Sequence, residues 1–247
     1  MKTLFIVGAQ RSGTSYLYKI LDSHPSVELA KPIRPEPKFF LKKKLCVLGK
    51  EYYLSRYFGT KNNKNVYFGE KSTSYIERPE AAKRIYTFFP DAKILFILRE
   101  PAARAWSNYI FSKNSGLETK TFFEAINSDP EKREYDKNIS VNPFNYINRG
   151  HYFGFIQTYT NLFKPENIRI EIYEDFVGNL KSIQRLYDWL GLESNFEPEN
   201  YFLPVNQSKN EEPPNDICIE LSKKFEHSNF LIEEYLGRTI TSWRAKG

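Results

Sequence analysis

Two cysteines, Cys46 and Cys218, are all that this chain of 247 residues contains, too few and too far apart for a disulfide framework or a thiolate metal cluster. The expectation is two free, buried thiols, with a single bridge between them left open. Histidine is nearly as scarce. His24, His151 and His227 never fall into a ligand spacing such as H-x-x-x-H, so no metal is expected. No apolar run approaches the ~18 residues of a membrane span. The opening run of MKTLFIV stops at Val7, short of a secretory leader, and the reading is a cytoplasmic chain. The sequons at Asn138 and Asn206 then carry little weight. Repeats and low-complexity linkers are also missing, and one domain over 1–247 is expected.

What is present excludes a disordered protein, since 40% of the residues are hydrophobic and 16% aromatic. Lysine and arginine number 36 against 30 acids, a net charge of +6. That surplus suits an anionic partner: a nucleotide, a nucleic acid, an acidic glycan or a membrane surface.

One further absence is more telling. Gly8 to Ser15 reads GAQRSGTS, which follows the P-loop pattern G-x-x-x-x-G-K-[ST] until Thr14 stands where the lysine belongs. A glycine-rich turn between a strand and a helix still aims backbone N–H groups at an anion, and the helix dipole adds to the attraction. Arg11 supplies a cation from inside the loop, and Ser12, Thr14 and Ser15 supply hydroxyls. The loop is therefore expected to bind an anion, the alternative being an ordinary tight turn from strand to helix with no ligand.

Strands are expected at TLFIV (Thr3 to Val7), NVYFGE (Asn65 to Glu70), KILFIL (Lys93 to Leu98) and IRIEIY (Ile168 to Tyr173). Helices are expected from Thr14 to before Pro25, over Pro79 to Phe89, after Pro101, over His151 to Phe163, and over Leu180 to Leu190 with Gly191 as the stop. Thr121 to Asn148 reads as helix mixed with loops. Strands alternating with helices imply an α/β fold, a mainly parallel sheet flanked by helices with the P-loop-like loop after the first strand. Ligands of such sheets bind beyond the carboxyl ends of the strands. Gly8–Ser15, Glu70–Lys71 and Arg99 all fall at such ends.

LREPAARAWSNY offers a second anion element: Arg99 ends a strand, and Ser107 lies one turn beyond Arg104 on the helix that follows. Arg104 suits either a ligand or the fold, and Arg99 could instead pair with Glu100. The aromatics of HYFGFIQTYTNLF and Trp106 read as core by their spacing, while Phe39, Tyr75 and Tyr152 are candidates to wall a substrate cleft.

RSGTS after the first strand together with ILREPAARAWSNY after a later one resembles the sulfotransferases that use 3′-phosphoadenosine-5′-phosphosulfate. The resemblance implies that the first loop, Arg11 to Ser15, holds the 5′-phosphosulfate and that Arg99 and Ser107 hold the 3′-phosphate. RPEPKFF (Arg34 to Phe40) and GEKSTSYI (Gly69 to Ile76) are similar to segments of the branch acting on heparan sulfate and related glycans. By that similarity Glu36 is the catalytic base and Lys71 contacts donor and acceptor. Arg149 to Phe176 resembles a later helix–strand unit, and VNQSKNEEPPN and EYLGRTITSW resemble the closing segments. Many glycan-modifying relatives have lysine at the position of Arg11, and Pro35 stands here where lysine precedes the glutamate. A 3′-phosphate loop near the C-terminus is reduced to Asn206 to Lys209, from which Ser208 and Lys209 are carried over as donor contacts.

The implied reaction is in-line sulfuryl transfer to an acceptor hydroxyl, with Glu36 as base, Arg11 and Lys71 stabilising the leaving phosphate, and no metal. Lys38, Glu70 and His151 are candidates to touch the acceptor, with Glu70 orienting Lys71. The expected partner is a glycan or another hydroxyl-bearing small molecule, not nucleic acid; tyrosine, lipid and small-alcohol acceptors stay open. A small-substrate P-loop kinase and a non-enzymatic polyanion-binding module are the alternatives.

Overall fold

A computed structural model of the chain describes residues 2–59, 66–136, 138–203 and 214–244. Five strands form one sheet in the order β2-β3-β1-β4-β5: β1 (Lys2–Gly8), β2 (Val27–Leu29), β3 (Tyr67–Lys71), β4 (Lys93–Leu98) and β5 (Ile168–Ile172). Every pairing is parallel. Ten α-helices stand among the described residues. They are α1 (Thr14–Asp22), α2 (Lys43–Cys46), α3 (Gly49–Phe58), α4 (Pro79–Phe88) and α5 (Pro101–Asn114), then α6 (Phe122–Asn127), α7 (Tyr152–Thr160), α8 (Tyr173–Phe176), α9 (Leu180–Leu190) and α10 (Asn215–Leu236). None is long and apolar enough to cross a membrane.

The chain divides into two compact units, Met1–Leu98 with Gln157–Val205, and Arg99–Ile156 with Asn206–Gly247. The first holds the sheet. Its strands are nearly continuous apolar runs because helices cover both faces. Alternation along β1 sends Leu4 and Ile6 to one face, where they meet Leu17 and Leu21 of α1 and Ile183 and Leu186 of α9. Phe5 goes to the other face and packs on Phe40, Tyr53 of α3 and Phe89, with ring centroids 5.6, 6.4 and 5.7 Å away. Gly191 ends α9 in the left-handed conformation, as the sequence signals.

The second unit is built from α5, α6, α10 and the start of α7. Pro101 opens α5 at its first turn, and the Glu100 carboxylate caps it by accepting the N–H groups of Ala102 (3.0 Å) and Ala103 (2.6 Å). Thr121 and Glu124 form a capping box for α6. Leu221 and Phe225 of α10 join Ala105, Tyr109 and Phe122 in one buried cluster. Cys46 and Cys218 are free, and each is half-buried.

Candidate active site

β1 ends at Gly8, and the chain turns through residues 9–13 into α1. The Ala9 N–H is tied to the Ile97 carbonyl of β4 at 2.8 Å, which anchors the turn across the sheet end. Arg11 and Gly13 both take positive φ, 70° and 89°. Gly13 is required twice over, since it is the left-handed N-cap of α1 and a Cβ there would lie 2.6 Å from the Tyr173 ring. No side chain caps α1, so the N–H groups of Thr14 and Ser15, which have no intrahelical acceptor, are left for an anion. Ser12 is fully buried, and its Oγ has no hydrogen-bond partner among the described residues. A bound oxyanion is the kind of group that would satisfy it.

β3 runs beside β1, with Lys71 in register with Ile6, and its continuation stays on the β1 terminus: the Ser72 N–H donates to the Ile6 carbonyl (3.1 Å) and the Ile76 N–H to the Val7 carbonyl (2.9 Å). Lys71 therefore ends next to the strand that feeds the glycine loop. It is 3% exposed and forms an ion pair with Glu36, whose side chain is 13% exposed. Thr73 completes the seat of that carboxylate: its N–H donates to Oε2 at 3.0 Å and its hydroxyl reaches both oxygens at 3.1 Å. Three donor groups occupy a carboxylate that offers about four lone-pair sites. The hydroxyl can donate to only one oxygen at a time, so one lone-pair site of the carboxylate is left over.

The sequence thus brings Glu36 and Lys71 together across 35 residues, and it is Glu36 rather than Glu70 that holds Lys71. Glu70 is fully buried in the aromatic layer, and burial pushes its pKa up to about 7, against the lowering effect of hydrogen bonds from Tyr75 and Ser72. Lys38 is partly buried; it takes φ 49° at the start of a 3₁₀ turn over Phe39–Leu41, and its N–H donates to the Ser72 hydroxyl at 2.9 Å. Thr73 and Ser72 are residues that sequence reasoning passed over, and Tyr75, expected at a cleft wall, instead bonds Glu70. Their signal was the hydroxyl run of GEKSTSYI, directly after the acid and the lysine.

In the second unit Arg99 follows the last residue of β4, and its carbonyl accepts the Tyr152 hydroxyl at 2.9 Å. Ser107 lies on α5, 6% exposed. Arg104 serves the fold: it is 1% exposed and donates to the Tyr146 carbonyl and, at 3.4 Å, to the Asn108 side chain. His151 packs its ring 5.1 Å from Phe225, and burial lowers its pKa. Phe39, Tyr75 and Tyr152 are fully buried, so none of them walls a cleft; a ring inside the core is unavailable to a substrate. Trp106 is partly buried and packs against the core of the second unit, stacked on Tyr109 at 5.4 Å. Ser208 and Lys209 lie outside the described residues.

Comparison with known proteins follows the same lines. A mouse protein (Mus musculus), bifunctional heparan sulfate N-deacetylase/N-sulfotransferase 4, is 35% identical over 106 residues, 42% of this chain and 12% of that protein. The membrane-associated sulfotransferase kil1 of Dictyostelium discoideum is 30% identical over 115 residues, 45% of this chain and 23% of that protein. The chain thus spans a small part of the length of these relatives. Among solved structures, a sulfotransferase from Alicyclobacillus acidocaldarius superposes over 99% of both chains with a TM-score of 0.80 at 24% identity, a likeness of fold. A family description of the sulfotransferase domain matches residues 1–232, and the chain belongs to that family.

Proposed function

We propose that this chain, acting as one domain, transfers the sulfuryl group of 3′-phosphoadenosine-5′-phosphosulfate to an acceptor hydroxyl, with a carbohydrate as the acceptor. The observation that carries the reading is the Glu36 carboxylate seated by Lys71 and Thr73 at the end of β3, beside the strand that leads into the Gly8–Ser15 loop. Family membership supports the reaction class. The glycan preference draws on the heparan sulfate named in the mouse relative.

The donor phosphosulfate suits the Arg11 to Ser15 loop, whose open N–H groups and orphaned Ser12 hydroxyl ask for oxyanion acceptors. Arg99 and Ser107 are assigned to the 3′-phosphate. In the transfer, Glu36 takes the proton of the acceptor hydroxyl as its oxygen bonds to sulfur. The bond from sulfur to the 5′-phosphate oxygen breaks, and its electron pair stays on the phosphate. Arg11, Lys71 and the loop N–H groups offset the charge that gathers there. Arginine remains charged at every relevant pH, so Arg11 stabilises the departing phosphate without protonating it. Lys38 and His151 are assigned to the acceptor.

The test is turnover with labelled donor against a panel of acceptors, paired with calorimetry of 3′-phosphoadenosine-5′-phosphate binding. Glu36→Gln is expected to lose about 10²–10⁴-fold in kcat while binding the nucleotide as before. Arg99→Ala is expected to abolish the preference for the 3′-phosphate over adenosine 5′-phosphate. Binding of ATP with magnesium in place of the 3′-phosphorylated nucleotide would overturn the reading.

A further inference from the structure

Glu70 is a fully buried carboxyl for which the transfer chemistry above has no use. Its Oε1 accepts hydrogen bonds from two hydroxyls, those of Tyr75 and of Ser72, the latter at 3.0 Å. Each hydroxyl in turn accepts one backbone N–H from the loop that carries Glu36. The Lys38 N–H donates to Ser72 Oγ at 2.9 Å, and the Phe40 N–H donates to the Tyr75 oxygen at 3.0 Å. Two amides placed two residues apart thus converge on a single oxygen through two hydroxyl relays. A hydroxyl that accepts one N–H directs its own proton elsewhere, and here both protons end on Glu70. Without that oxygen both relays would hold a buried, unsatisfied donor, a cost on the order of a lost hydrogen bond each. The Tyr53 hydroxyl, also buried, lies toward the same carboxyl but outside hydrogen-bonding geometry.

We propose that Glu70 is a positioning residue: through Ser72 and Tyr75 it fixes the backbone of the loop bearing Glu36, and so sets where the Glu36 carboxylate stands against Lys71. The catalytic half of this inference rests on the reading of Glu36 as the base; the structural half does not. The two lone pairs of Glu70 Oε1 let it accept both relay hydroxyls at once.

Four variants test it: Glu70→Leu removes the acceptor at similar volume, Glu70→Gln keeps an acceptor oxygen, and Ser72→Ala and Tyr75→Phe each cut one relay. Amide hydrogen exchange at Lys38 and Phe40 is read beside kcat and the dissociation constant of 3′-phosphoadenosine-5′-phosphate. Glu70→Leu is expected to expose both amides and to lower kcat by about 10²-fold, the scale of a small misplacement of a reacting group, with nucleotide binding unchanged. Glu70→Gln should restore amide protection and most of kcat. Ser72→Ala should expose Lys38 alone, Tyr75→Phe should expose Phe40 alone, and combining either with Glu70→Leu should add little, because the groups act in series. If Glu70→Leu fails to fold, the two relay variants decide the matter by their separate amides. Wild-type protection of both amides in Glu70→Leu, or in both relay variants, would overturn the proposal. Full turnover in Glu36→Gln with exposed amides in Glu70→Leu would instead remove the base assignment and leave the loop anchor standing.

Discussion

A carboxylic acid placed in an aromatic layer gives the protein a stability that depends on pH in an unusual sense. Glu70 holds its proton more tightly when folded than when unfolded, because burial raises its pKa from 4.5 to about 7. Its contribution is therefore fully present below about pH 4.5 and is lost as pH rises through about 7. A displacement of that size corresponds to roughly 3 kcal/mol. Glutamine at position 70 stays neutral throughout, so Glu70→Gln should gain stability relative to wild type as the pH climbs across this window. Urea unfolding of both proteins at intervals from about pH 4.5 to 8 measures the difference, with midpoints compared at constant slope. Parallel curves would mean that Glu70 folds in its ionised form at no cost. The residue scale also marks how far side-chain chemistry was legible. Glu36 and Lys71 were read from short segments resembling a known pattern, whereas Thr73 and the two relays depend on which hydroxyl faces which strand, and spacing carries no such information.

At the scale of the element, the anion loop is a strand, a turn and a helix start held in one conformation by Gly13. Gly13→Ala must accept φ 89° and a Cβ 2.6 Å from the Tyr173 ring. The left-handed backbone alone costs about 1–2 kcal/mol, and the ring contact adds to it. Loss of roughly 2 kcal/mol in denaturant unfolding and a nucleotide affinity weakened at least about tenfold are expected, since displaced N–H groups miss the phosphate. Unchanged affinity in a destabilised variant would separate the helix start from the binding site. Among the elements read beforehand, two show a single strong pattern: Lys93–Leu98 as an apolar run, and α9 as an amphipathic stretch closed by Gly191. β2 escaped because Val27–Leu29 is three residues long and exists through its pairing with β3. α10 was missed although Leu221, Phe225, Ser228 and Ile232 recur at helical spacing and are buried, so its pattern stood in the sequence. α3 gave less, with only Tyr53 and Phe58 buried along it.

For the molecule as a whole, the distribution of charge matters more than its sum. Residues 31–50 carry seven lysines and arginines against a single acid, Glu36, a surplus of six that equals the net charge of the whole chain. Lys31, Arg34, Lys42, Lys43, Lys44 and Lys50 are all exposed, and they occupy the stretch that also bears the candidate base. A basic stretch exposed to solvent raises the local concentration of an anionic substrate, and its field is screened over a Debye length of about 8 Å at physiological salt. For an acidic glycan the expected result is a KM that climbs steeply between about 0.05 and 0.3 M sodium chloride while kcat holds. Replacing Lys42, Lys43 and Lys44 together by glutamine should raise KM at low salt and flatten that dependence, leaving nucleotide binding intact. A neutral small alcohol should show neither effect. If acidic and neutral acceptors respond to salt alike, the basic stretch serves solubility or a different partner, and the acceptor must be sought among uncharged hydroxyls.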